Sequence, residues 1–360
     1  MIPRFELARG YSISRIIKGG WHLAGDHGAI DPGQARADMA RFVEAGITTF
    51  DCADIYTGVE ELIGSFRAAY PSLAPRIQVH TKFVPDLSDL ASVNRRYVEA
   101  IIDRSLARLR LERLDLVQFH WWDFSVPRYV ETALELARLS RAGKIAHVGV
   151  TNFDTPRLAE LIDAGVQVAA HQLQYSLVDE RPAAAMLDYC RRHAIGLLCY
   201  GTVAGGFLSE RWLGAPETSR APTNRSLVKY KLIIDDFGGW ALYQQLLGVL
   251  ARISRKHGTD VASVATRVVL DRPQVGAAIV GATNTSHLAA HEGIGQLNLD
   301  ADDNAAILAI TSRRGGPGGD VYALERDRTG RHGQIMKYEL NSIPGTAAAP
   351  HVAGQASATD

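Results

Sequence analysis

The feature that most constrains this chain is a sustained alternation of short β-branched runs with longer segments whose apolar residues recur at helical spacing. Such an alternation specifies parallel strands joined by crossover helices. The runs are Ile17 to Trp21, Ile47 to Cys52, Ile77 to Lys82, Leu114 to His120, Ile145 to Val150, Val168 to Leu173, Ile195 to Tyr200 and Ala277 to Ala282. Eight strands of this kind close on themselves, so the expected fold class is α/β, a single (β/α)8 TIM barrel. Between the runs, segments such as PGQARADMARFVEAG and TPRLAELIDAG open at Pro and close at Gly, the asymmetry of helix starts and stops.

Additions to the repeat are also readable. RGYSISRIIKGG reads as an N-terminal hairpin. The stretch from Gly205 to Gly239, after the seventh strand, is long and polar, and is expected to be a loop over the barrel mouth. After the eighth strand a helix is expected from Asp302 to Arg313, then a Gly-rich turn and a C-terminal extension. Barrel and extension are expected to occupy residues 1–342, with the core at about 16–314, and residues 343–360 to form a disordered tail.

Composition narrows the partners. Lys plus Arg and Asp plus Glu stand at 39 each, so the chain lacks the basic footprint of a nucleic-acid or anionic-membrane binder. Cys52, Cys190 and Cys199 are odd in number, lack CxxC spacing and lie in apolar segments, which suits buried thiols in a reducing compartment rather than disulfides or a metal site. The start has no apolar core of a signal peptide, and no stretch reaches the roughly 20 apolar residues of a spanning helix. A cytoplasmic protein with no membrane and no nucleic-acid partner is expected; nothing in the sequence sets an oligomeric state.

Barrels of this class build their sites at the C-terminal ends of strands, so polar residues that interrupt the last positions of apolar runs are the candidates. Asp51 ends the second strand with Tyr56 in the turn after it, Lys82 ends the third, and His120 ends the fourth. Singly, each has an ordinary structural reading as a turn former, a packed ring or a structural ion. Together they make chemical sense. A lysine inside a barrel needs an anion, which Asp51 provides. A phenol of ordinary pKa about 10 needs a neighbouring cation to serve as a proton donor near neutrality, and Lys82 supplies it. His120 would orient a carbonyl oxygen, while Trp21, Trp121 and Trp122 would wall a pocket for a small-molecule substrate.

In their order, TTFDCADIY, HTK, FHWW, GKIAHVGVTNF, HQLQYS and CYG resemble the aldo-keto reductase superfamily, over about Ile16 to Gly295. The resemblance implies an oxidoreductase exchanging a hydride between a nicotinamide cofactor and a carbonyl or alcohol, with Asp51, Tyr56, Lys82 and His120 as its catalytic tetrad and Tyr56 as general acid. It further implies that Asn152 and Gln172 meet the nicotinamide carboxamide and that the ring of Tyr200 lies beneath the nicotinamide. Backbone amides of the loop from Gly201 onward would meet the pyrophosphate, with Arg211 at a basic position of the family. No GxGxxG follows any expected strand, so the barrel itself must hold the dinucleotide.

One departure concerns the adenosine end. Where members that prefer NADPH place Lys, Arg and a Glu-Asn pair, this chain has Gly281, His287, Ala290 and His291, leaving Thr283, Asn284, Arg211 or the segment NRSLVKYK to supply contacts. NADPH is taken as the first cofactor on family frequency, with NADH as the alternative. The other departure is the extension, whose Tyr322, Arg313 or Arg314 would either touch substrate or only wrap the surface. Two competing functions stay open at this point: a cofactor-binding regulatory barrel with little turnover, and an aldolase-like barrel with Lys82 as Schiff-base nucleophile.

Overall fold

A computed structural model of the chain describes residues 2–24, 30–217 and 224–341. Eight parallel strands close into a barrel: β3 (Ile16–Gly19), β4 (Thr49–Asp51), β5 (Gln78–Phe83), β6 (Leu114–Phe119), β7 (Ile145–Thr151), β8 (Val168–Gln174), β9 (Gly196–Tyr200) and β10 (Val275–Gly281), which pairs back onto β3. Ahead of them, β1 (Arg4–Ala8) and β2 (Tyr11–Ser14) form an antiparallel hairpin. The hairpin therefore lies upstream of its expected place, turning at Gly10 with φ 73°, while Ile16–Gly19 belongs to the barrel. It plugs the N-terminal end, where Leu7 and Ile13 pack with Ile17, Leu116, Leu198 and Ala277. The approach is close: a Cβ on Gly196 would lie 2.5 Å from Leu7 Cδ1, and one on Gly276 2.8 Å from Phe5 Cδ1.

The crossover helices are α1 (Pro32–Glu44), α2 (Val59–Ala69), α3 (Arg95–Leu109), α4 (Tyr129–Arg141), α5 (Thr155–Asp163) and α6 (Met186–Arg192). Several begin as the pattern requires: Asp31 accepts from the Gln34 N–H ahead of Pro32, and Asp154 from the Arg157 N–H ahead of Pro156. Three more, α7 (Arg225–Phe237), α8 (Gly239–His257) and α9 (Val261–Leu270), lie between β9 and β10, and α10 (Leu288–Ile294), α11 (Ala301–Thr311) and α12 (Ala323–Arg326) follow β10.

Helix α7 overturns the expectation of an irregular loop from Gly205 to Gly239. Its buried residues Tyr230, Ile233, Ile234 and Phe237 recur at i, i+3, i+4 and i+7, a helical stripe hidden behind a polar first turn. Asn224 caps it, accepting from the Ser226 N–H at 2.8 Å. The tail expected over 343–360 lies outside the described residues.

The extension is no loose wrap. The Leu87 N–H donates to the Tyr338 carbonyl at 3.1 Å, Asn341 donates to the Val84 carbonyl, and a buried Arg181 joins Glu325 of α12 to Asp179 at 2.8 and 2.7 Å. These bonds draw residues 320–341 across the C-terminal rim of the barrel.

Three buried imidazoles set an acid limit. Burial holds His80, His120 and His171 each down at about 3, so their folded forms are neutral. An unfolded histidine titrates near 6.5, and between these values the unfolded chain binds more protons. Stability is therefore greatest above about pH 6.5 and declines below it, by up to about 1.4 kcal/mol per pH unit for each histidine. Urea midpoints are expected to fall between pH 7.5 and 5.5. A midpoint constant over that interval would mean that the core accommodates protonated imidazoles.

Candidate active site

The C-terminal ends of the strands open onto a cavity of about 910 Å³, large for a ligand site. The barrel register puts Lys82 beside Gln118, and Thr151 beside Gln172. Asp51 is the hub of this layer. Its Oδ2 accepts from Lys82 Nζ at 2.7 Å, and its Oδ1 from Gln118 Nε2 at 3.1 Å and Gln172 Nε2 at 2.6 Å. Gln172 also donates to Gln118 Oε1 at 2.9 Å. A buried ion pair is tolerable only when its remaining lone pairs and protons are satisfied, and here they are. Lys82 spends a second proton on the Cys52 carbonyl at 2.9 Å. Burial alone would push its ammonium down, but Asp51, and Tyr56 after it, hold it above its ordinary value.

Tyr56 lies against this ammonium, its ring centroid 4.8 Å from Lys82 Nζ and edge-on to Trp21 at 5.1 Å. Burial raises the phenol's pKa above 10, with Lys82 opposing, so the phenol stays protonated through neutral pH. The expectation of a simple lowering by Lys82 is thus outweighed by desolvation.

His120 has a defined tautomer. Its Nδ1 lies 3.2 Å from the Thr151 carbonyl, which can only accept, so Nδ1 carries the proton. Nε2 is buried without a partner and presents a lone pair, since the ring stays neutral down to about pH 3. Trp122 and Tyr322 stand edge-on to it at 4.2 and 5.7 Å.

The cofactor-side candidates form a connected group. Asn152 adopts φ 61°, a left-handed conformation that Asn tolerates, and its Oδ1 accepts from the Tyr200 hydroxyl at 2.8 Å. Arg326 fixes that turn by donating to the carbonyls of Asn152 at 2.7 Å and Trp121 at 3.1 Å. Asp51, Tyr56, Lys82, His120, Trp21 and Trp122 line the cavity together with Asn152, Gln172, Tyr200 and Gly201. Arg211, Gly281 and His287 line it as well.

Other candidates lie elsewhere. Trp121 is fully buried and donates to the Val126 carbonyl at 3.0 Å, because neighbours in an extended segment face opposite ways and His120 takes the cavity side. Thr283 and Asn284 are exposed and outside the cavity lining; Asn284 Oδ1 accepts from the Ser286 N–H at 2.9 Å, a turn-forming bond. Arg313 and Arg314 also stay outside the cavity, pairing with Gln245 and Glu180, whereas Tyr322 lines it. At Gly281 the departure from a basic residue has a steric side: a Cβ there would come within 1.9 Å of the His22 ring. Burial holds His291 at about 4, so it supplies no charge near neutral pH. Gln118 went unnoticed in the sequence, although it interrupts an apolar run two residues before His120 and so shares its face. Arg326 had no local signal at all.

Comparison with known proteins agrees with this architecture. The profile of the Aldo/keto reductase family matches residues 15–312, and the chain belongs to that family of NAD(P)H-dependent oxidoreductases, which act on small-molecule carbonyls. It is 26% identical to the aldo-keto reductase YhdN of Bacillus subtilis, covering 84% of this chain and 91% of that protein. It is 24% identical to an L-glyceraldehyde 3-phosphate reductase of Escherichia coli O157:H7, over 83% and 89%. With flagellar radial spoke protein 5 of Chlamydomonas reinhardtii it shares 30% identity over 61% of this chain, which spans only 49% of that protein's length. A solved glycerol dehydrogenase from Gluconobacter oxydans has the same fold, with TM-score 0.72 at 24% identity over 89% of this chain and 97% of that one. Among the described residues no helix is long and apolar enough to cross a membrane, and no group of His, Cys, Asp and Glu is placed to hold a metal ion.

Proposed function

We propose that the chain reduces the carbonyl of a small aldehyde, ketone or sugar to an alcohol, and catalyses the reverse oxidation, with Tyr56 as the general acid and base. The observation that carries this reading is the Tyr56 ring seated on a Lys82 ammonium that Asp51 holds charged at 2.7 Å, in the cavity that His120 also lines. With its proton on Nδ1, His120 has no N–H for a carbonyl oxygen, so the orienting role expected of it falls to Tyr56. A nicotinamide, when bound, supplies the hydride. The residues present fit such a group: the Tyr200 ring offers a flat support, Asn152 and Gln172 offer amides to an amide, and Gly206, with open space beside it, lets backbone approach phosphate oxygens, whereas Gly201 and Gly205 make room for the Tyr230 ring. NADPH is proposed first and NADH second, with Arg211 beside the pyrophosphate and His287 at the adenosine end. A cytoplasmic setting belongs to the same proposal, supported by three buried free thiols.

In the reducing direction Tyr56 gives its hydroxyl proton to the carbonyl oxygen as negative charge develops there, and Lys82 stabilises the phenolate that remains. In the oxidising direction the phenolate takes the single proton of the substrate hydroxyl, while His120, neutral and lining the same cavity, bounds the position of that hydroxyl without taking its proton. Because the phenol's pKa lies above 10, reduction is expected to hold steady from pH 6.5 to 9, whereas oxidation rises with pH over that interval. Initial rates in both directions check this, and an oxidation rate flat in pH would remove Tyr56 as the base.

Lys82→Met is expected to lower turnover by at least about 100-fold, since the phenolate loses its neighbouring cation. Purified protein, titrated with NADPH and NADH by fluorescence and assayed on a panel of aldehydes, ketones and sugars, tests the whole reading. Cofactor binding with no turnover of any carbonyl would overturn it in favour of a regulatory barrel.

A further inference from the structure

Lys229, on the second turn of α7, reaches into the cavity with its side chain 15% exposed. Its Nζ lies 5.1, 5.6 and 5.8 Å from the ring centroids of Tyr200, Tyr230 and Tyr322. Among the described residues it makes no hydrogen bond. The nearest carboxylate oxygen, Glu325 Oε1, is 3.9 Å away and already accepts from Arg181 at 3.0 Å. Three aromatic rings recover part of the hydration a part-buried ammonium loses, and Glu325 pairs with it only at 3.9 Å, so its N–H donors face the cavity. An ammonium at a cavity wall, with a carboxylate no nearer than 3.9 Å, can exchange its cavity water for an acceptor that arrives with a ligand. Burial depresses its pKa, with Glu325 opposing.

The surroundings indicate which ligand. Tyr322 joins the Lys229 cage to His120, 5.7 Å away edge-on, so the ammonium stands on the wall beside the proposed reaction centre. Tyr322 has φ 61°, a strained conformation for a tyrosine, held by the Glu325–Arg181 pair and the Arg326 bonds just after it. Lys337, from the same extension, adds a second cation at the rim. Among the described residues three carboxylates line the cavity: Asp51, paired with Lys82, and Glu210 and Asp260, which accept from the Val261 and Ser263 N–H groups at 2.6 Å and keep their charge. Lys82, Arg211, Arg225, Lys229 and Lys337 outnumber these carboxylates along the lining, a local excess of positive charge in a chain of zero net charge.

We propose that Lys229 is a specificity-determining residue that pairs with an anionic group, carboxylate or phosphate, carried by the carbonyl substrate. The inference rests on the reductase reading above. The same chemistry could come from the phosphates of the cofactor, and the experiment separates the two sources. The full chain, saturated with NADPH, is titrated calorimetrically with malonate as an unreactive carboxylate probe, in wild type, Lys229→Met and Lys229→Arg. Lys229→Met is expected to weaken malonate about 10- to 100-fold, the range of a charge-assisted hydrogen bond, with Lys229→Arg in between. NADPH affinity is expected to stay within about twofold. A tenfold weaker NADPH affinity with malonate unaffected would assign Lys229 to the cofactor and overturn the proposal.

Turnover gives a second reading, as the ratio of kcat/KM for 4-oxobutanoate to that for pentanal. Lys229→Met is expected to lower this ratio at least about tenfold; an unchanged ratio would overturn the proposal. If wild type binds malonate through Lys229 but reduces neither aldehyde, the reductase reading fails while the anion site stands. If it reduces pentanal and ignores malonate, the reverse holds.

Discussion

Tyr56→Phe is expected to cut carbonyl-reduction kcat by about 10²- to 10⁴-fold while leaving cofactor affinity within about twofold, because a positioned general acid contributes on that scale. The change removes one oxygen and keeps the ring, so the packing of Tyr56 against Trp21 and Lys82 persists. Its hydroxyl bonds with the Lys82 ammonium, which keeps Asp51 and the Cys52 carbonyl as partners when that oxygen is lost, so the stability cost is small. Steady-state rates on a reactive aldehyde, together with NADPH titration and a urea melt, separate chemistry from folding. Turnover within a few fold of wild type, in a folded variant that still binds cofactor, would remove Tyr56 from the acid role. The phenylalanine variant should also lose the pH dependence expected for oxidation.

What the sequence disclosed of this arrangement depended on distance along the chain. Asp51, Lys82 and His120 stand out because each interrupts an apolar run at a strand end, and the barrel register brings such ends together. Gln118 obeys the same logic but reads as one more residue of a buried strand, since nothing local says that it bonds to Asp51. Trp121 shows the opposite error: adjacency to His120 in sequence suggested adjacency in space, whereas alternation sends it into the core. Helix α7 was legible in its i, i+3, i+4, i+7 stripe and obscured by the polar residues before it. The extension was least legible. Arg181 and Glu325 are 144 residues apart, and no periodicity or turn signal couples such a pair.

That pair yields the largest expected effect on stability. Arg181 lies between Asp179 and Glu325, with Nη2 2.7 Å from Asp179 Oδ2 and Nη1 2.8 Å from Glu325 Oε2, and the three side chains are 2%, 0% and 0% exposed. Arg181→Met would leave two buried carboxylates, with Lys229 at 3.9 Å the nearest cation to Glu325. Breaking a buried pair by removing one partner costs about 3–5 kcal/mol, a large share of the roughly 5–15 kcal/mol that holds a typical protein folded. In the wild type, burial would raise the Glu325 carboxyl, but Arg181 holds it at about 2, so its stabilising contribution is present above the ordinary carboxylate range and is lost as pH falls toward 2. In the variant the same carboxyl would titrate above its unfolded value, which reverses the sign. The deficit should therefore be larger at pH 7.5 than at pH 5.5 when urea unfolding of variant and wild type is compared at each pH. Neutralising the partners as well, with Asp179→Asn and Glu325→Gln on top of Arg181→Met, should recover much of the loss, since the cost lies in unpaired charge rather than in the absence of the cluster. A single variant within about 1 kcal/mol of wild type would mean that water reaches these carboxylates. The strap carrying Tyr322 would then owe its place over the cavity to the Arg326 and Asn341 bonds instead.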